Sequence, residues 1–212
     1  MDGSRNRIFR EEFSSGDSLD RTASFSDAIF AVAMTLLAVG IDVPRVPAAE
    51  LPGAVADQLP QFGAYALSFV VTGAYWLSHH RMIRVLSGYT PAFQRLNLLL
   101  LLFVALIGYA TDMLVFHGDQ FLGLAIYAGT VALIGGVDAL MWLYCKRRHL
   151  FKPQYDERLL GTAWQHAAVA PLVFLLSVPI ALASPTAAQL SWLAIPAVNI
   201  VLGLLGSRQL QT

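Results

Sequence analysis

Residues 159–207 read LLGTAWQHAAVAPLVFLLSVPIALASPTAAQLSWLAIPAVNIVLGLLGS and contain no Asp, Glu, Lys or Arg. A helix of about 20 mostly apolar residues is enough to cross the hydrocarbon of a bilayer. This stretch holds two such helices, 161–183 and 187–206, with Ala183-Ser184-Pro185-Thr186 as the turn between them. Pro171, Pro179 and Pro196 lie inside them, and membrane helices tolerate such prolines as kinks.

Working outward, the same reading applies to the rest of the chain. Residues 28–41, 58–80, 96–111, 120–137 and 139–145 are also free of formal charge. They predict four further spans, over 22–43, 61–86, 91–115 and 119–145, which makes six. Pro44 and Pro47 close the first, because proline cannot continue a helix and constrains its predecessor. Pro60 opens the second, after a short stretch with Leu51, Val55 and Leu59 at helical spacing that reads as a surface helix. Pro91 suits the first turn of the third span, and Gly118-Asp119 forms the turn before the fourth. The expected fold is an all-α integral membrane protein. Its domains are a polar arm over 1–20, a six-helix membrane unit over 21–207 and a tail over 208–212.

Composition agrees. Of 212 residues, 56% are apolar and only 13% charged, with 14 basic and 14 acidic side chains and zero net charge. Soluble domains carry about a quarter charged residues, so this surface is built to face something other than water. A soluble enzyme and a disordered chain are excluded on that ground. A neutral chain also has no global field for nucleic acid. The one cysteine, Cys145, leaves no disulfide framework and no cysteine cluster for a metal.

The basic residues set the expected orientation. In the six-span reading Arg5, Arg7, Arg10, Arg21, Arg81, Arg84, Arg95, Lys146, Arg147, Arg148, Lys152, Arg158 and Arg208 fall on one side, and only Arg45 on the other. Both termini are therefore expected in the cytoplasm, in a multi-pass protein of the inner or plasma membrane in contact with anionic lipid.

The first span is the unusual one. It runs from Arg21 through Phe25-Ser26-Asp27 to Asp42. An Asp inside a spanning helix needs a partner, since it costs about 2.5–3.5 kcal/mol at mid-bilayer on insertion scales. At about 100° per residue, Val32, Leu36 and Val39 form one apolar stripe flanked by Thr35, while Ser26 and Asp27 point about 120° and 140° away. The helix thus has an apolar face and a polar inner face, and needs a different neighbour for each.

The string Arg21-x-x-x-Phe25-Ser26-Asp27, followed by Ala-Ile-Phe-Ala-Val-Ala-Met-Thr-Leu-Leu, resembles the prokaryotic branch of the transmembrane protein 175 family, a family of potassium-permeable channels. Trp76 and His79-His80 near the inner end of the second span, and Asn97-Leu98 in the third, extend the likeness. The resemblance implies a homotetramer whose first helices line the pore. By that likeness Val32, Leu36 and Val39 are the constriction, with Leu36 the expected narrow ring because Val32 is small. Thr35 is the selectivity layer. Arg21, Phe25, Ser26, Asp27, Trp76, His79, His80 and Asn97 form a structural network. The implied permeant ion is K+ among monovalent cations, with no cofactor and no resident metal. A Thr-Val-Gly-Tyr-Gly filter is absent; Ser87-Gly88-Tyr89-Thr90 is the nearest string and falls in a loop.

Asp42, at the outer end of the first span, is expected to ring the mouth and concentrate cations. Asp138 lies about seven residues before Lys146 and needs a partner within the bundle. The alternative function is a small secondary transporter with an intramembrane Asp, Asp27 or Asp138, as its coupling site; such sites lie near the midplane on broken helices. A membrane enzyme built on His79, His80 and Asp27 would lack a nucleophile or a metal set.

Overall fold

The computed structural model describes residues 16–155 and 157–199. Helices account for nearly all of them, with no strand among the described residues and one isolated β-bridge, Leu86 to Phe151. The first helix, α1, spans Gly16–Leu37 and ends in a 3-10 turn, Ala38–Gly40. Extended chain then leads to a short helix α2, Leu51–Asp57. Helix α3 covers Leu59–Val85, and α4 (Pro91–Ala105) continues after one residue, Leu106, into α5 (Ile107–His117). Then come α6 (Phe121–Arg147), α7 (Glu157–Ala183) and α8 (Pro185–Ser191).

By length and composition, Leu19–Gly40, Pro91–His117 and Phe121–Arg147 are suited to crossing a membrane. Helix α3 is as long, at 27 residues, but carries His79, His80, Arg81 and Arg84 in its last turns. Residues 1–15, most of the expected arm, and the end of the sixth span with the tail lie outside the described residues. The described part of that last span is not one unbroken helix. It turns at Trp192–Leu193 before becoming helical again over 194–199. The cause is Pro196, which has no N–H for the Trp192 carbonyl four residues back and crowds it. That carbonyl accepts from Ile195 N–H instead, at 3.1 Å.

The core lies among α3 to α7, with Tyr127, Phe93, Phe174, Met82, Leu100 and Ile134 essentially inaccessible. Helix α6 is at its centre and packs most extensively on α7. Gly135 allows that closeness: a Cβ there would stand 2.5 Å from Tyr75 Oη of α3 and 2.8 Å from Pro171 Cδ of α7. Membrane helices commonly use small residues this way. Helix ends follow sequence signals. Thr90 caps α4, its hydroxyl accepting from Phe93 N–H at 3.2 Å with Pro91 in the first turn. Ser184 caps α8 in the same manner. His149, at φ 52°, takes the left-handed conformation that follows α6.

The loops after α3 and α6 are laced together. Ser87 N–H donates to the Leu150 carbonyl and Lys152 N–H to the Val85 carbonyl, each at 2.9 Å. The Lys152 ammonium donates to the Arg84 carbonyl, also at 2.9 Å. This belt fixes the C-terminal ends of α3 and α6 relative to each other. Helix α1 packs on α3, α4 and α5 at the side of this frame.

Candidate functional site

Helix α1 has one face in the subunit and one outside it. Leu19, Thr22, Ser26, Phe30, Ala33 and Leu37 are buried, at the three- and four-residue steps of a single helical stripe. The opposite stripe is open: Val32 is 53% exposed, Leu36 55% and Val39 74%. Thr35 is exposed beside them, and its hydroxyl donates to the Val32 carbonyl at 2.8 Å. That bond uses the hydroxyl's hydrogen and leaves oxygen lone pairs directed away from the helix. Asp42 is exposed beyond the 3-10 turn.

The polar inner part of α1 meets two sets of partners. Ser26 is fully buried. Asn97 Nδ2 of α4 donates to its hydroxyl at 3.0 Å, and the hydroxyl donates in turn to the Thr22 carbonyl at 2.9 Å. Asn97 Oδ1 lies 2.7 Å from His79 Nε2. With the amide oriented in this way, the ring proton sits on Nε2, and among the described residues the buried Nδ1 has no partner. Phe30 packs against the His79 ring, with centroids 5.8 Å apart.

Asp27 makes the second set. Trp76 Nε1 donates to its carboxylate at 2.8 Å, and His80 Nδ1 stands 3.9 Å from the same oxygen. The Trp76 and His80 rings pack at 5.5 Å. Asp27 and His80 are each 39% exposed, so this pair sits at the rim of the bundle.

Six of the eight residues grouped as a network in the sequence are therefore in contact. Arg21 and Phe25 stand apart from them. Both are exposed, Phe25 at 53%, and among the described residues neither joins these hydrogen bonds. They continue the open stripe of Val32 toward the N-terminal end of α1. The helical wheel contains this placement, because positions seven and eleven residues before Val32 fall within about 20° of it.

Other sequence candidates are placed as follows. Asp138 is fully buried in α6, and its Oδ2 accepts from the Ser78 hydroxyl at 2.6 Å. Trp142 Nε1 donates to that same hydroxyl at 3.2 Å. Asp112 is exposed at the middle of α5, against Gly40. Ser78, Gln58 and Gln61 were not singled out from the sequence. The last two donate to main-chain carbonyls at the end of α1, and the prolines after α1 were the available signal for them. Among the described residues no group of His, Cys, Asp and Glu is arranged to hold a metal ion.

A helical membrane protein whose first helix is anchored by polar side chains on one face and left open and apolar on the other is the class these features define. The chain belongs to the TMEM175 family. Residues 21–107 match the family model described as endosomal/lysosomal potassium channel TMEM175. The chain is 33% identical to a potassium channel of Streptomyces collinus, over 77% of this chain and 82% of that one. A TMEM175 protein of Rattus norvegicus, named an endosomal/lysosomal proton channel, is 23% identical over 69% of this chain but only 30% of its own length. The crystal structure of a lysosomal potassium-selective channel TMEM175 homolog from Chamaesiphon minutus superposes with a TM-score of 0.73. It covers 89% of this chain and 97% of that one at 24% identity, a likeness of fold. The family and these relatives are channels, not enzymes.

Proposed function

We propose that this chain is a potassium-permeable cation channel of the inner or plasma membrane, with both termini cytoplasmic and six spans per subunit. Four copies bring the open stripe of α1 to a common axis. The observation that carries the reading is the division of α1 into a buried face and an exposed apolar face. The polar anchors at Ser26 and Asp27 fix the rotation of α1, so that the same stripe is presented by every copy.

In this reading Val32, Leu36 and Val39 form stacked apolar rings, with Leu36 the narrow one. Such rings gate by dewetting and do not coordinate the ion. Selection between K+ and Na+ falls to pore width and to the ring of Thr35 oxygens, whose lone pairs remain available. Exposed Asp42 carboxylates raise the local cation concentration at the outer mouth. Ser26, Asp27, Trp76, His79, His80 and Asn97 set the rotation of α1, and Arg21 and Phe25 lie toward its inner entrance. The family relationship to named potassium channels supports the permeant ion.

Coupled transport on Asp27 or Asp138 finds less support. Asp27 is engaged by Trp76 at the rim, Asp138 is enclosed behind Ser78, and α1 is unbroken from Gly16 to Leu37. Flux into K+-loaded vesicles tests the proposal. Leu36→Ala should raise flux about tenfold or lower discrimination against Na+, the effect of widening an apolar gate. Unchanged permeation in an intact Leu36→Ala oligomer would remove Leu36 from the conduction path.

A further inference from the structure

The outer end of α1 is held by two side chains to which the channel reading gives no part. In a continuing helix the Gly40 carbonyl would accept from the N–H four residues on. That residue is Pro44, which has none. Gln61, in the first turn of α3, supplies the missing donor, with Nε2 2.7 Å from the Gly40 carbonyl oxygen. Gln58, just before α3, donates to the Asp42 carbonyl at 2.5 Å. From the other side α5 closes on Gly40, where a Cβ would stand 2.8 Å from Asp112 Oδ1.

The main chain itself offers little hold here. Among the described residues, its bonds outside the helices between 41 and 50 are Ile41 N–H to Ala38, Glu50 N–H to Pro47 and Ala54 N–H to Glu50, and none falls on 42–46. The pinned carbonyls belong to Gly40 and Asp42, so the planes they fix are those of peptides 40–41 and 42–43. A side chain that grips a carbonyl fixes the peptide plane, and with it the direction of the neighbouring Cα–Cβ bonds.

We infer that Gln58 and Gln61 are positioning residues of the permeation path: through the Gly40 and Asp42 carbonyls they set the course of the chain from Gly40 to Val43, and with it how the Asp42 carboxylate is presented at the outer end of the path. The inference rests on the reading of α1 as the pore helix. It treats the outer mouth as a built geometry, clamped from α2–α3, and the inner polar network as a separate anchor.

The test uses the full chain with Gln58→Leu/Gln61→Leu, which keeps side-chain bulk and removes both donors. Two quantities are read beside wild type and Leu36→Ala. Amide exchange over residues 38–41, whose N–H groups carry the bonds of the 3-10 turn, should speed by about fivefold, with the first half of α1 unchanged. The K+/Na+ permeability ratio of the reconstituted oligomer should shift by about twofold or more. If the double variant does not assemble, Gln61→Leu alone is read in the same two ways. An unchanged ratio overturns the inference even where exchange rises, since the glutamines would then serve stability alone. Unchanged exchange also overturns it. If Leu36→Ala leaves permeation unaltered, the pore reading itself fails. If Leu36→Ala changes permeation and the glutamine variants do not, only the positioning role fails.

Discussion

Asn97 joins two helices to a third through one amide, where no solvent can replace it. Its removal leaves the His79 Nε2 proton without its acceptor and the Ser26 hydroxyl with the Thr22 carbonyl alone, both residues being fully buried. Asn97→Leu should therefore cost about 2 kcal/mol, within the range for leaving buried polar groups unpaired. Trp76→Phe removes one donor from Asp27, but that carboxylate is 39% exposed and can turn to water. Its cost should be about 1 kcal/mol or less. Thermal melting of the detergent-solubilised protein orders the two variants, and a larger loss in Trp76→Phe would contradict the burial argument. The need for partners at Ser26 and Asp27 was legible in the sequence, because polar groups inside a span must be satisfied. The places of Arg21 and Phe25 were contained in the same wheel arithmetic but masked by their belonging to one motif. Gln58 and Gln61 had no periodic signature, since a side chain that meets a carbonyl about twenty residues away leaves no pattern.

At the level of elements, charge gaps located most helices to within a few residues, because the cost of a charge in hydrocarbon is large and local. The surface helix before the second span also follows its spacing, with Leu51 and Val55 exposed on α2. The turn at Trp192 was not predicted: Pro196 was read as a kink, whereas the Trp192 carbonyl finds a closer donor and the helix stops. Of the adjacent glycines 135 and 136, only Gly135 makes a close contact, for a Cβ at Gly136 would meet nothing within 4 Å. Gly135→Ala should destabilise the bundle by about 1–3 kcal/mol, the usual cost of overpacking. Tyr75→Phe deletes the hydroxyl that the new methyl would strike, so the double variant should recover part of that loss. Additive losses in a double-mutant cycle would place the strain elsewhere, for instance at Pro171.

For the whole molecule, the lone cysteine is an experimental advantage. Cys145 is buried, which leaves a quiet background for single introduced thiols. In the proposed orientation Arg45→Cys should react with a membrane-impermeant maleimide on intact cells, and Arg147→Cys only after permeabilisation. The reverse pattern would invert the topology. The belt between residues 84–87 and 150–152 has a further, practical consequence. Because both loops share main-chain bonds, an epitope or fluorescent domain spliced into either one would tug on two helix ends at once and damage expression. The exposed, loosely bonded chain after Pro44 lies outside that stitching and is the safer place for a short tag.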